Sequence, residues 1–188
     1  MAHPLATATS QSPDKVSVMY EPVRELTLDK HEDTRGSFMR IFDSTWGGVC
    51  DIKQVSLSSN PKALTLRGLH GMRLSADEYK LVSCIEGQVM DVVVDIRPNS
   101  ELYLKPQYFL MESNSPSSLV IPPGHLHGFL TLKDNSSILY AMTSKFYSQL
   151  EIGVRWDDPL LKIQWPEVPK VISERDRNFP FLSKAPQL

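Results

Sequence analysis

Residues 80–142 decide the fold: KLVSCIEGQVMDVVVDIRPNSELYLKPQYFLMESNSPSSLVIPPGHLHGFLTLKDNSSILYAM. Short aliphatic and β-branched runs recur there at Val82–Ile85, Val89–Ile96, Tyr108–Met111, Leu119–Ile121, Phe129–Leu132 and Ile138–Met142. Turn residues break each one: Glu86-Gly87, Arg97-Pro98-Asn99-Ser100, Ser113–Ser118, Pro122-Pro123-Gly124 and Lys133–Ser137. Short strands at this spacing, with no long amphipathic stretch among them, predict an all-β sandwich or barrel. Parallel strands joined by helices need crossovers of about a dozen residues, and these intervals leave no room for them.

Outward from this block, the C-terminal stretch from Asp157 to Leu188 carries Pro159, Pro166, Pro169 and Pro180. Proline in a helix interior removes a hydrogen bond and clashes with the preceding turn. Only short helices are expected there, packed on the outside of the β core. At the other end, residues 1–15 are rich in Ala, Ser, Thr and Pro without periodicity and read as a disordered leader. Residues 16–188 then form one domain, which suits a chain of 188 residues.

Hydrophobic residues make up 41% and charged residues 22%, the balance of a globular protein. No apolar run approaches the roughly 18–20 residues that span a bilayer, so no membrane partner is expected. The N-terminus lacks the basic and apolar regions of a secretory signal, which places the protein in the cytoplasm. Cys50 and Cys84 stand apart, without a second Cys or His at metal spacing, and are expected as free thiols. The net charge of −2, without a Lys/Arg cluster, disfavours nucleic acid as a partner. A small phosphorylated ligand stays open, because a few placed arginines suffice for it.

Of five histidines, His3 lies in the leader and His31 in a charged stretch. In LTLRGLHGM, Arg67 precedes His70 by three, an odd spacing that puts them on opposite faces of a regular strand. Gly68 permits a bulge that turns both toward one pocket. The pair reads either as an anion-binding arginine beside a general base or as a strand-end histidine in a structural hydrogen bond. His125 and His127 in IPPGHLHGF share a face if extended, which makes half a metal site. The segment around His70 holds no second histidine to complete the ligand set, so no metal is expected. Lys80 heads an apolar run and is either solvated or a partner for an oxyanion. Tyr140 in SILYAMT is either a core phenol or a proton donor.

Taken in order, these segments resemble the dTDP-4-dehydrorhamnose 3,5-epimerase family, a branch of the cupin jelly rolls. The resemblance is carried by Arg35-Gly36-Ser37-Phe38, Arg67-Gly68-Leu69-His70, Lys80-Leu81-Val82, Gly87 through Arg97, Ile121 through Phe129, Tyr140, Trp156-Asp157-Asp158-Pro159, Trp165-Pro166 and Ser173-Glu174-Arg175-Asp176. It implies a cupin jelly-roll barrel with short C-terminal helices over 16–188. It also implies a cofactor-independent epimerase that inverts carbons beside the C4 ketone of a nucleotide-linked 4-keto-6-deoxyhexose, and a homodimer exchanging N-terminal strands. In that scheme His70 is the base, Asp176 the carboxylate holding its tautomer, Lys80 the cation beside the enolate oxygen and Tyr140 the acid on the opposite face. Arg35, Arg67 and His127 fall at substrate contacts, with Arg67 facing the pyrophosphate. Gln54, Glu151 and Arg175 fall at further binding positions, and Asp91 joins the polar network.

The chain departs from the family pattern at Gly71-Met72, where an aromatic and Gln are usual. Arg40 stands where Glu is common, and Gln54-Val55-Ser56 replaces Gln-x-Asn. Ungapped counting from Tyr140 puts the base-stacking aromatic at Phe146, beside Tyr147. The chemical end is kept and the base-recognition end altered, which leaves dTDP, CDP, GDP and UDP all open. The competing readings are a cupin sugar-nucleotide 3,4-ketoisomerase, an inactive nucleotide-sugar-binding cupin and a metal-dependent cupin oxygenase.

Overall fold

A computed structural model describes residues 20–47 and 49–182. The leader expected at 1–15 lies outside the described residues. The strands in chain order are β1 (Arg24–Thr27), β2 (Lys30–Asp33), β3 (Gly36–Met39), β4 (Gln54–Asn60), β5 (Thr65–Met72), β6 (Lys80–Glu86) and β7 (Gln88–Asp95). They continue with β8 (Pro106–Glu112), β9 (Ser117–Ile121), β10 (His125–Thr131), β11 (Ser136–Met142), β12 (Glu151–Gly153) and β13 (Val171–Ile172). All six predicted runs fall on strands, with Ile96 and Leu132 one residue past the ends of β7 and β10. The run placed at Phe129–Leu132 begins four residues earlier, at His125, because the polar His-Leu-His-Gly start is itself extended and wholly buried.

Two antiparallel sheets face each other as the jelly roll requires. The first runs β1-β9-β6-β11-β4 and the second β12-β5-β10-β7-β8, with β13 added parallel to β5; β2 and β3 form a separate hairpin. Between the sheets lie Val82, Cys84, Val89, Val93, Met111, Phe129 and Ile138. The outer face of the second sheet buries Val92, Val94 and Leu126 under Val154, Leu161 and Leu182 from the C-terminal stretch. The outer face of the first buries Leu81, Val120 and Ala141 under Val49 and Trp46. Strands covered on both sides read as near-continuous apolar runs, which is why VMDVVVDI lacks the alternation of a half-exposed strand. Burying each such aliphatic side chain contributes about 1.5–3 kcal/mol. That locks the register, since a slip of one residue would turn every inward side chain outward.

The C-terminal helices are fewer than expected. Among the described residues of that stretch one α-helix forms, α1 (Glu174–Arg177), of four residues. The prolines leave turns elsewhere, and Ser173 starts the helix by accepting the Asp176 amide on its Oγ at 3.0 Å. Among the described residues no helix is long and apolar enough to cross a membrane. Cys50 and Cys84 are free thiols.

Candidate active site

Arg67 and His70 lie on β5, and their partners on β10 show how the odd spacing is absorbed. His127 pairs with His70 and Phe129 with Arg67, so three steps on β5 oppose two on β10. The extra residue bulges at Gly68, whose φ is +128°. A Cβ there would stand 2.6 Å from the Gly128 Cα and 2.9 Å from the His127 carbonyl oxygen. Glycine on both strands lets the backbones close to this distance.

The bulge also builds the dyad. The freed Gly68 amide donates to Asp176 Oδ2 at 3.0 Å, and Asp176 Oδ1 lies 2.9 Å from His70 Nε2. Burial works to raise the Asp176 pKa, but hydrogen bonds from His70, the Gly68 amide and Ser173, with the charge of His70, outweigh it and hold the pKa below its ordinary value. An ionised carboxylate only accepts, so Nε2 must donate to it, and Nδ1 is the ring nitrogen left for other contacts. The Phe179 ring stands edge-on to the imidazole, with centroids 5.4 Å apart. Gly153 makes room for it, since a Cβ there would fall 2.2 Å from the Phe179 ring.

Across the strand pair, His127 Nε2 lies 2.7 Å from Asp91 Oδ2. Tyr140 comes from β11 in the opposite sheet and stands edge-on to His127, with centroids 6.2 Å apart. Burial first, and the Asp91 charge second, push the Tyr140 pKa well above that of a free phenol; Arg67 and a hydrogen bond with Ser58 act against this. Tyr140 therefore holds its proton at neutral pH. Lys80 heads β6, with its ammonium 3.7 Å from the carboxylate of Glu78, which accepts from Ser144 Oγ at 2.7 Å. Met72, Glu78, Lys80, His125 and His127 line one pocket.

His125 shares the inward face with His127, as the spacing predicts, but has other partners. Its Nδ1 donates to the Pro122 carbonyl at 2.9 Å, and its Nε2 lies 3.3 Å from Arg97 Nη2. Burial depresses its pKa. Among the described residues no three His, Cys, Asp or Glu side chains are grouped so as to hold a metal ion.

The remaining predicted residues are spread wider. Arg67 donates from Nε to Asn60 Oδ1 at 2.8 Å. Gln54 opens β4 opposite Met142. Glu151 and Arg175 are joined to each other by an ion pair. Phe146 and Tyr147 are exposed on the connection after β11. Arg35 stands apart from the cluster: it lies at the tip of the β2–β3 hairpin, its side chain is 88% exposed and its guanidinium is bound to Asp33. Asn60, Glu78 and Phe179 escape the sequence reading. A signal for Asn60 was present, because Gln54, Ser56, Ser58 and Asn60 recur with period two and share the inward face.

The family model described as dTDP-4-dehydrorhamnose 3,5-epimerase matches residues 19–184. A dTDP-4-dehydrorhamnose 3,5-epimerase of Sinorhizobium fredii is 35% identical over 175 residues, covering 90% of each chain. A 4-keto-6-deoxy sugar epimerase from the novobiocin gene cluster of Streptomyces spheroides superposes with a TM-score of 0.80 at 28% identity, over 86% of this chain and 83% of that one. A dTDP-6-deoxy-D-glucose-3,5-epimerase from Legionella pneumophila, solved with dTDP-4-keto-L-rhamnose, gives 0.78 at 29% identity, over 85% and 87%. This chain belongs to the dTDP-4-dehydrorhamnose 3,5-epimerase family.

Proposed function

We propose that the chain epimerises a nucleotide-linked 4-keto-6-deoxyhexose at C3, C5 or both, with His70 as base and Tyr140 as acid. The C4 ketone acidifies the hydrogens on the neighbouring carbons. His70 Nδ1 removes one, with the ring held by Asp176. The enolate oxygen is met by the Lys80 ammonium, worth more in a water-poor pocket than in bulk water. Tyr140 then returns a proton from the other side. The observation that carries this reading is that the base stands on β5 and the acid on β11, in opposed sheets, so a sugar between them is reached from both faces. Arg67 faces the diphosphate, and His127, Gln54, Glu151, Arg175 and Phe146 contribute to binding.

The same reading includes a homodimer. Phe38, Val55 and Leu57 are 69%, 61% and 59% exposed, and a cavity of ≈ 480 Å³ runs along the hairpin between His31, Asp33, Arg35 and Phe38. A second copy would cover this apolar surface and receive Arg35 at its own site. The two free thiols fit a cytoplasmic enzyme. The test is proton NMR of dTDP-4-keto-6-deoxyglucose with the enzyme in deuterated water. Deuterium entering beside the ketone, with inverted product, supports the reading; an unlabelled, unchanged sugar, with the CDP-, UDP- and GDP-linked 4-keto sugars equally inert, refutes it.

A further inference from the structure

Arg67 has a long, exposed side chain, yet one of its nitrogens is fixed. Its Nε donates at 2.8 Å to Oδ1 of Asn60, the last residue of β4 and only 1% exposed. The amide of Asn60 has a single workable orientation. Its Nδ2 donates at 3.0 Å to the Ser136 carbonyl oxygen, which only accepts, so Oδ1 must face the guanidinium. Ser58 Oγ, two residues back on the same face, stands 3.3 Å from Nδ2 and 3.4 Å from Oδ1. Asn60 belongs to the first sheet and Arg67 to the second, so this bond spans the barrel.

We propose that Asn60 is a positioning residue for diphosphate binding, acting through Arg67. With Nε tied inward, the two terminal Nη groups form the free edge of the planar fork. That edge matches two phosphate oxygens at once. An unrestrained arginine gives up rotamer freedom when it binds a phosphate; here Asn60 restricts it in the folded chain beforehand. Asn60 touches no substrate atom itself, and its effect is confined to ligands that carry the diphosphate. The proposal rests on the reading that Arg67 faces the diphosphate of a nucleotide sugar.

The experiment compares Asn60→Leu, Arg67→Lys and the double variant with the wild-type enzyme. Calorimetry measures the tightest-binding of dTDP, CDP, UDP and GDP, and its nucleoside, and steady-state kinetics are run on the 4-keto sugar nucleotide. Asn60→Leu should weaken the diphosphate about tenfold, leave the nucleoside unchanged, and raise KM with kcat nearly constant. In the Arg67→Lys background, which lacks Nε–H, the Leu substitution should add almost nothing. Asn60→Ser, which keeps β4 polar, should give the same pattern and covers the case where the Leu variant misfolds. Equal losses for diphosphate and nucleoside, or full additivity with Arg67→Lys, would make Asn60 a purely structural residue. An unaltered Asn60→Leu enzyme overturns the proposal while leaving the epimerase reading intact. A wild-type enzyme that neither binds a nucleoside diphosphate nor turns over the sugar overturns both.

Discussion

His70 and His127 face each other in register across β5 and β10, and each ring is held by its own carboxylate, Asp176 at 2.9 Å and Asp91 at 2.7 Å. The two sites differ in access. The His70 side chain is 32% exposed and the His127 side chain 6%. The carboxylates differ too, since Asp176 has both oxygens bonded whereas Asp91 Oδ1 is buried without a hydrogen-bond partner among the described residues. The proposed base, His70, is the open ring with the fully anchored carboxylate.

Asp176→Asn tests that anchoring. The amide cannot satisfy both partners: with its oxygen toward His70 it turns an NH₂ on the Gly68 N–H, and reversed it turns that NH₂ on His70 Nε2. Solvent exchange beside the ketone should fall by about 10²-fold, and stability by about 1–3 kcal/mol. NMR exchange rates and chemical denaturation measure the two. Wild-type exchange with only the stability loss would make the dyad structural.

Gly68→Ala tests the bulge. The backbone conformation disfavours any side chain, and the new Cβ meets backbone rather than a mobile side chain. A loss on the order of 3 kcal/mol is expected, together with lost activity as Arg67 and His70 part. Gly36 also has positive φ, but a Cβ there meets nothing within 4 Å. Gly36→Ala should therefore be the milder of the two in a thermal melt, and equal losses would contradict the account.

The acid limb of stability should begin with His125. Its folded pKa lies below the ordinary histidine value of 6.5, chiefly through burial. Its contribution is therefore present above pH 6.5 and lost as pH falls through the folded pKa. Asp95 and Asp176 are also depressed, from an ordinary value of 3.8, and act at lower pH. The melting temperature should decline below pH 6.5 in the wild type, and His125→Asn should flatten the first part of that decline. An unchanged slope in the variant would assign it to another group.

Much of the fold was legible because strands covered on both faces need unbroken apolar runs, and those runs stand out at Val89–Ile96 and Ile138–Met142. The bulge was legible from Gly68 between two polar residues at an odd spacing. The first strands were harder. The β2 and β3 strands are exposed along most of their length, so no alternation marks them. On β4 the pattern is reversed, with Ser56, Ser58 and Asn60 inward and Val55 and Leu57 outward. A reading that equates apolar with inside passes over such a strand, and Asn60 with it. The pairing of His70 with Asp176, 106 residues later, follows from no local spacing and came only with the family resemblance.

Arg35 gives a test of the dimer. If each hairpin serves the partner's site, Arg35→Ala and His70→Asn homodimers should both be nearly inactive. Mixed and allowed to exchange subunits, they should regain activity, because the heterodimer holds one site with both residues intact. Activity that stays low after exchange, verified by native mass spectrometry, would place Arg35 and His70 in service of the same subunit.

The most direct test of the account is to follow exchange and inversion separately in His70→Asn and Tyr140→Phe, by proton NMR of dTDP-4-keto-6-deoxyglucose in deuterated water. Without His70 there is no base, so deuterium should enter neither C3 nor C5 at an appreciable rate, a loss of about 10²–10⁴. Without the Tyr140 hydroxyl the enolate still forms, but its far face has no donor. His70 then returns most protons to the face they left, so exchange persists with retained configuration while net inversion collapses. Brisk exchange in His70→Asn, or normal inversion in Tyr140→Phe, would contradict the assignment of base and acid to the two opposed sheets.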